Sequence, residues 1–188
     1  MRDNVIAALK QRNLVNTDEI KMTAKGGATN FLEFTEAGVS LMNSQGTKVS
    51  VVKPGVVHQV VVTIIEKVYI AIGAEVFKDK IIGNQRCDLE VTKKSGRAPF
   101  SEIIEVALSN LPEDLLAKTI GYIQYVKVLE NHTAIIFVSA DSTKAEELQQ
   151  FITNGCRKHE VVFPPGSIQF KPAYEYFARW KSKPNLFI

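Results

Sequence analysis

Cysteine is scarce in this chain: Cys87 and Cys156 are the two, with no CxxC pair and no histidine pair near them. That excludes a thiolate zinc site of the usual spacing. A chain of this length needs no disulfide framework, so both thiols are expected to be free and buried. Histidine is sparse too. His58, His132 and His159 stand far apart, without a serine or cysteine partner at a nucleophile turn, and each reads as structural. Glycine-rich phosphate loops of the GxGxxG or P-loop type are missing. The most apolar stretch, Val49 to Phe77, is broken by Lys53, Pro54, His58, Glu66, Lys67 and Glu75. Those residues make a bilayer span costly, and the charged start MRDNVIAALKQR is not a secretory signal. No membrane partner is expected, and the location is expected to be intracellular, cytoplasmic or nuclear.

What is present points to an ordered globule. Of the 188 residues, 45% are hydrophobic and 23% charged, which sits near the globular average and predicts a sizeable core. The length suits one domain. A net charge of +3 permits a polyanionic partner without demanding one, so the clustering of the cations decides.

Periodicity predicts a mixed α/β (α+β) protein. A short amphipathic helix spans Val5 to Leu14. Strands are expected at Glu19–Ala24, Phe31–Phe34 and Thr47–Val52, followed by a helix from about Gly55 to Phe77. A strand at Arg86–Thr92 would alternate Cys87, Leu89 and Val91 against Asp88 and Glu90. Ser101 then caps a helix carrying Ile103, Ile104, Ala107, Leu108 and Leu111, ending at Asn110 before Pro112. Tyr122–Leu129 and Thr133–Ala140 read as a hairpin. Asp141 starts a further helix, ended at Gly155. Short strands are expected at Val161–Phe163 and Ser167–Phe170, and Tyr174, Phe177 and Trp180 lie at helical spacing. These make a single domain: a core over 47–140, an N-terminal extension over 1–46 and a C-terminal extension over 141–188.

One stretch carries a functional signal, RCDLEVTKKSGRAPFSEIIEVALSNL from Arg86 to Leu111. Lys93, Lys94 and Arg97 surround Gly96 in what reads as a strand-to-helix turn. Their charged ends would converge there, Gly96 would let the backbone approach a partner, and free N–H groups of a helix start would meet a phosphate. Such a turn neutralises backbone phosphates without reading sequence. An ordinary solvated cationic turn has the same composition.

The predicted order β-α-β-α-β-β over 47–140 resembles the Alba family of nucleic-acid-binding proteins. Two matches carry it: VSVVKPGVVHQVV, with Lys53-Pro54 at the helix start, and the basic turn KKSGRA. The flanking segments have no counterpart in that family. The resemblance implies a non-enzymatic protein binding RNA or DNA through Lys53, Lys93, Lys94 and Arg97, with no cofactor, and leaves homo- or hetero-oligomers open.

Three alternatives use other residues. If IIEVAL were a strand, Asp88 and Glu105 would resemble the acidic pair of PD-(D/E)xK nucleases, which hold Mg²⁺ for phosphodiester hydrolysis. That family's lysine would fall at Ala107, so Lys118 would have to stand in for it. The region from Ile103 to the AEELQQFI helix also resembles a degenerate RNA-recognition motif, with Tyr125 and Phe137 as stacking residues. Last, an exposed aromatic face at Tyr174, Phe177 and Trp180 would mark a protein–protein assembly module.

Overall fold

The structure is a computed structural model, and it describes residues 2–21, 28–47, 55–94, 99–129 and 133–182. In chain order the elements are α1 (Arg2–Gln11), β1 (Val15–Lys21), β2 (Ala28–Phe34), α2 (Glu36–Ser44), α3 (Val56–Ile70), β3 (Glu75–Lys78), β4 (Ile81–Ile82), β5 (Gln85–Arg86), β6 (Leu89–Lys93), β7 (Phe100–Val106), α4 (Pro112–Leu129), β8 (Thr133–Ser139), α5 (Ser142–Lys158), β9 (Ile168–Pro172) and α6 (Tyr174–Lys181). A five-stranded sheet, ordered β3-β6-β7-β8-β9, organises them. β3, β6 and β7 pair antiparallel, and β8 and β9 add parallel to β7. The protein is α/β in class. Among the described residues no helix is long and apolar enough to cross a membrane.

Two apolar layers cover the sheet. Val57, Val61, Ile64 and Ile65 of α3 and Tyr176 and Phe177 of α6 pack on Leu89, Val91, Ile104, Val106, Ile136 and Val138. Leu115 and Tyr122 of α4 and Leu148, Ile152 and Cys156 of α5 pack on Ile103, Ile135 and Phe137 from the opposite side. β7 and β8 are therefore buried on both faces, as strands in the middle of a covered mixed sheet are.

This arrangement corrects several expectations. Residues Phe100–Val106 form strand β7, not a helix from Ser101. Ile103 and Ile104 point to opposite layers, so their adjacency marks two-sided burial and not a helical stripe. Tyr122–Leu129 lies inside α4 and is not a hairpin strand. Pro112 begins that helix, where its missing N–H leaves nothing unpaired, and Glu113 and Asp114 suit the positive end of the helix dipole. The expected helix to Phe77 stops at Ile70. Gly73, at φ +77°, turns the chain, with the Ala74 N–H bonded back to the Tyr69 carbonyl at 3.1 Å. α5 runs past Gly155 to Lys158, and 161–163 is not a strand. The strand expected at Thr47–Val52 lies outside the described residues apart from Thr47. The described order over 47–140 is therefore α-β-β-β-β-β-α-β and not β-α-β-α-β-β.

The N-terminal unit holds a helix that the sequence reading passed over. Thr35 caps α2, its Oγ1 accepting from the Gly38 N–H at 3.1 Å. A Cβ at Gly38 would lie 2.0 Å from the Leu14 carbonyl oxygen. That oxygen is itself fixed by the Thr35 N–H at 3.1 Å, so it cannot give way. Gly38→Ala is expected to lower stability by about 1–3 kcal/mol, the usual cost of overpacking. Urea unfolding would measure it, and an unchanged midpoint would show that α2 docks otherwise.

Candidate functional site

The basic turn joins two antiparallel strands. Lys93 pairs with Phe100 in the β6–β7 ladder, so a strand and not a helix follows this segment. The Lys93 ammonium donates to the Ile72 carbonyl at 2.6 Å, just beyond the C-terminal end of α3, where a cation is favourable. Lys94 is exposed. Lys53 and Arg97 lie outside the described residues. The helix start expected after this turn is strand β7, so Phe100–Val106 does not supply the free N–H groups of a helix start.

The two acidic residues interact through charge, each held by partners of its own. Glu105 sits on β7 and is only 2% exposed. Its Oε2 accepts from the Lys118 ammonium of α4 at 2.8 Å, and its Oε1 accepts from the Tyr122 hydroxyl one helical turn further on. Both donors also reach the Arg86 carbonyl, Lys118 at 2.9 Å and Tyr122 at 3.1 Å. Arg86 ends the small β4–β5 hairpin, which lies close against α4 because Gly121 has no side chain. A Cβ there would come within 2.9 Å of Gln85 Cγ.

Asp88 stands between this cluster and α3. The chain bends at Asp88 just before β6, so its side chain fills the ladder gap beside β7. Oδ2 accepts the Val106 N–H at 2.7 Å, and Oδ1 meets His58 Nε2 of α3 at 3.1 Å. The bend also separates Cys87, which packs toward α4, from Leu89 and Val91, which pack toward α3. The expected common face for these three is thereby corrected.

Electrostatics couple the two acids. Burial, then the Asp88 charge, push the Glu105 carboxyl from its ordinary 4.5 up to about 7, although Lys118 and Tyr122 pull it down. Burial and the charges of Glu105, Glu90 and Asp88 push the Cys87 thiol up to about 12, which keeps it protonated and removes it as a nucleophile.

Among the described residues, no three or more His, Cys, Asp or Glu side chains are grouped to hold a metal ion. The donors here are two carboxylates. Mg²⁺ is commonly held by one or two carboxylates, with waters and substrate oxygens completing the shell, so the hard oxygen chemistry fits. A cation would also offset the Asp88 charge, which after burial is the second cause of the raised Glu105 carboxyl. Each carboxylate oxygen has one protein partner and keeps a further lone pair.

The other candidate residues are placed elsewhere. Phe137 is buried and stacked on Phe170 with ring centroids 5.4 Å apart, so it offers no platform for a base. Tyr125 packs beside Gly83. Phe177 is buried against the sheet, and the Tyr174 hydroxyl bonds to Ser142 Oγ at 2.8 Å, so α6 is a packed helix. His58 and Tyr122 were not singled out as site residues from sequence. The spacing of Lys118 and Tyr122 would have pointed to Tyr122, had 112–129 been read as a helix.

Glu105 makes stability depend on pH in a defined direction. Its folded-state pKa lies above the unfolded value, so its contribution is complete below about pH 4.5 and is lost as pH rises through about 7. That raise corresponds to about 3 kcal/mol. The urea midpoint of the wild type is expected to fall over this window relative to Glu105→Gln, which carries no titrating group there. Parallel curves for the two proteins would show that Glu105 is not perturbed. No protein-family model, curated protein or solved structure matches this chain, so the geometry of the site carries the functional reading.

Proposed function

We propose that the chain is a divergent metal-dependent phosphodiesterase of the PD-(D/E)xK kind, in which Asp88 and Glu105 are the carboxylates and Lys118 the cationic partner. The observation that carries this reading is the 2.8 Å contact between Lys118 and Glu105. The lysine expected two residues after the glutamate is replaced by Ala107, and α4 brings Lys118 to the carboxylate in its stead. The strand conformation of Phe100–Val106 also supports it, since the acidic pair needs Glu105 on a strand beside Asp88. The Alba-like reading needs a helix after the KKSGRA turn, where β7 runs.

Stability alone is a weak reason for such a cluster. A buried ion pair is often no better than well-packed apolar residues of the same volume. Two donors on a carboxylate that is 2% exposed, both also within reach of the Arg86 carbonyl, fit a chemical role better. Strained pKa values of this kind concentrate at functional sites.

The roles follow from the contacts. Asp88 and Glu105 would hold Mg²⁺, which when bound stabilises charge on the phosphoryl group and lowers the pKa of a coordinated water. His58 and the Val106 N–H fix the Asp88 carboxylate from two sides. Tyr122 does the same for Glu105. The Lys118 ammonium has three donors and spends two, on Glu105 and on the Arg86 carbonyl. The third is available to orient the attacking water or a phosphoryl oxygen. In hydrolysis, the water oxygen forms a bond to phosphorus and the water gives up a proton, the bond from phosphorus to the leaving sugar oxygen breaks, and that oxygen takes up a proton.

Purified protein should cleave labelled single- or double-stranded DNA or RNA with Mg²⁺ or Mn²⁺, and EDTA should stop it. Lys118→Ala is expected to lower the rate by about 100-fold or more, as losing one preorganised donor does. Asp88→Asn and Glu105→Gln should each abolish the metal-dependent cleavage. A wild type that cleaves none of the four substrates with either ion would refute the assignment.

A further inference from the structure

A cleft of about 250 Å³ opens directly beside Asp88, lined by His58, Gln59, Val62, Thr63, Lys78 and Asp79. One wall is the face of α3 on which residues 58, 59, 62 and 63 form a contiguous i, i+4 stripe. The other is the end of β3 and the turn after it. Asp79 shapes that rim: it holds a left-handed backbone at φ +51°, with its N–H bonded to the Asp88 carbonyl at 3.1 Å. The cleft and the carboxylate site therefore share a residue and a backbone hydrogen bond.

We infer that this cleft seats one unpaired nucleotide next to the scissile phosphodiester, so that the substrate is a single strand entering along α3. The inference rests on the phosphodiesterase reading above and adds the substrate class. Size limits the occupant. The cleft lies below the roughly 300–1,000 Å³ of common small-molecule sites, so it takes a single nucleoside and not a run of them.

Charge separates single strand from duplex. Duplex binding draws most of its strength from several cations that neutralise phosphates. Among the described residues Lys78 is the one Lys or Arg lining this cleft, and it is paired with Glu66, while Asp79 and Asp88 oppose it. The neutral donors and acceptors of Gln59 and Thr63, with Val62 on the same helix face, suit the edge and face of a base or sugar. Such edges and faces are accessible where a strand is unpaired.

The test uses the double variant Gln59→Leu/Thr63→Val. Both residues are exposed, and neither belongs to the carboxylate cluster, so the fold should be kept. Titration of the wild type with 5′-mononucleotides, followed by amide NMR, is expected to shift the signals of residues 59–63 and 78–79. The double variant should show no such shifts. On a single-stranded oligonucleotide with Mg²⁺, the variant should raise KM about tenfold with kcat kept, the loss of two hydrogen bonds. Absence of shifts in the wild type, an unchanged KM in the variant, or faster cleavage of duplex than of single strand would each overturn the inference. If the wild type cleaves nothing, the phosphodiesterase reading fails by itself, and the titration still decides the cleft.

Discussion

A carboxylate on a strand that is covered on both faces has to find its partners in the layer it points to. Glu105 is that carboxylate, and the placement of α4, the β4–β5 hairpin and the bend at Asp88 all bear on it. α4 presents Lys118 and Tyr122 one turn apart on the side that meets the sheet. The hairpin supplies the Arg86 carbonyl that steadies both donors. Removing any one of these partners would leave charge or hydrogen-bonding capacity stranded where water cannot replace it. Neighbouring Ile103 and Ile104 anchor the strand in the two apolar layers, which fixes where Glu105 can point.

The sheet around β7 explains why some elements were legible in the sequence and others were not. α5 carries its apolar residues on one side with a capping Asp141, and both signals survive in the structure. β7 fails the same test for a physical reason. Two-sided burial makes the run Ile103–Ile104–Glu105–Val106 continuous, and a continuous run has no period to distinguish strand from helix. α4 misleads in the opposite sense. Its second half, YIQYVKVL, is rich in β-branched and aromatic residues, yet tertiary packing against β8 and α5 sets the outcome.

The site was legible only in pieces. Asp88 and Glu105 stood out as acids on neighbouring segments, and Lys118 as the nearest cation that could stand in for Ala107. What could not be read was the third dimension: His58 comes from thirty positions before Asp88, and Tyr122 depends on a helix that looked like a strand. The basic turn misled because local charge density is visible in a sequence, whereas the strand that follows it is not. Once β7 is a strand, Lys93 is occupied by the end of α3.

The Tyr122 hydroxyl has one hydrogen and two acceptors, the Glu105 carboxylate and the Arg86 carbonyl. While Glu105 is ionised the hydrogen belongs to it, and Lys118 alone donates to Arg86. When Glu105 takes up a proton, that proton can be returned to the tyrosine oxygen, and the phenolic hydrogen is freed for Arg86. The hairpin's hold on α4 is thus one hydrogen bond with the acid charged and two with it neutral. Ownership of a single hydrogen ties the charge state of the sheet's buried acid to how firmly a surface hairpin is fastened.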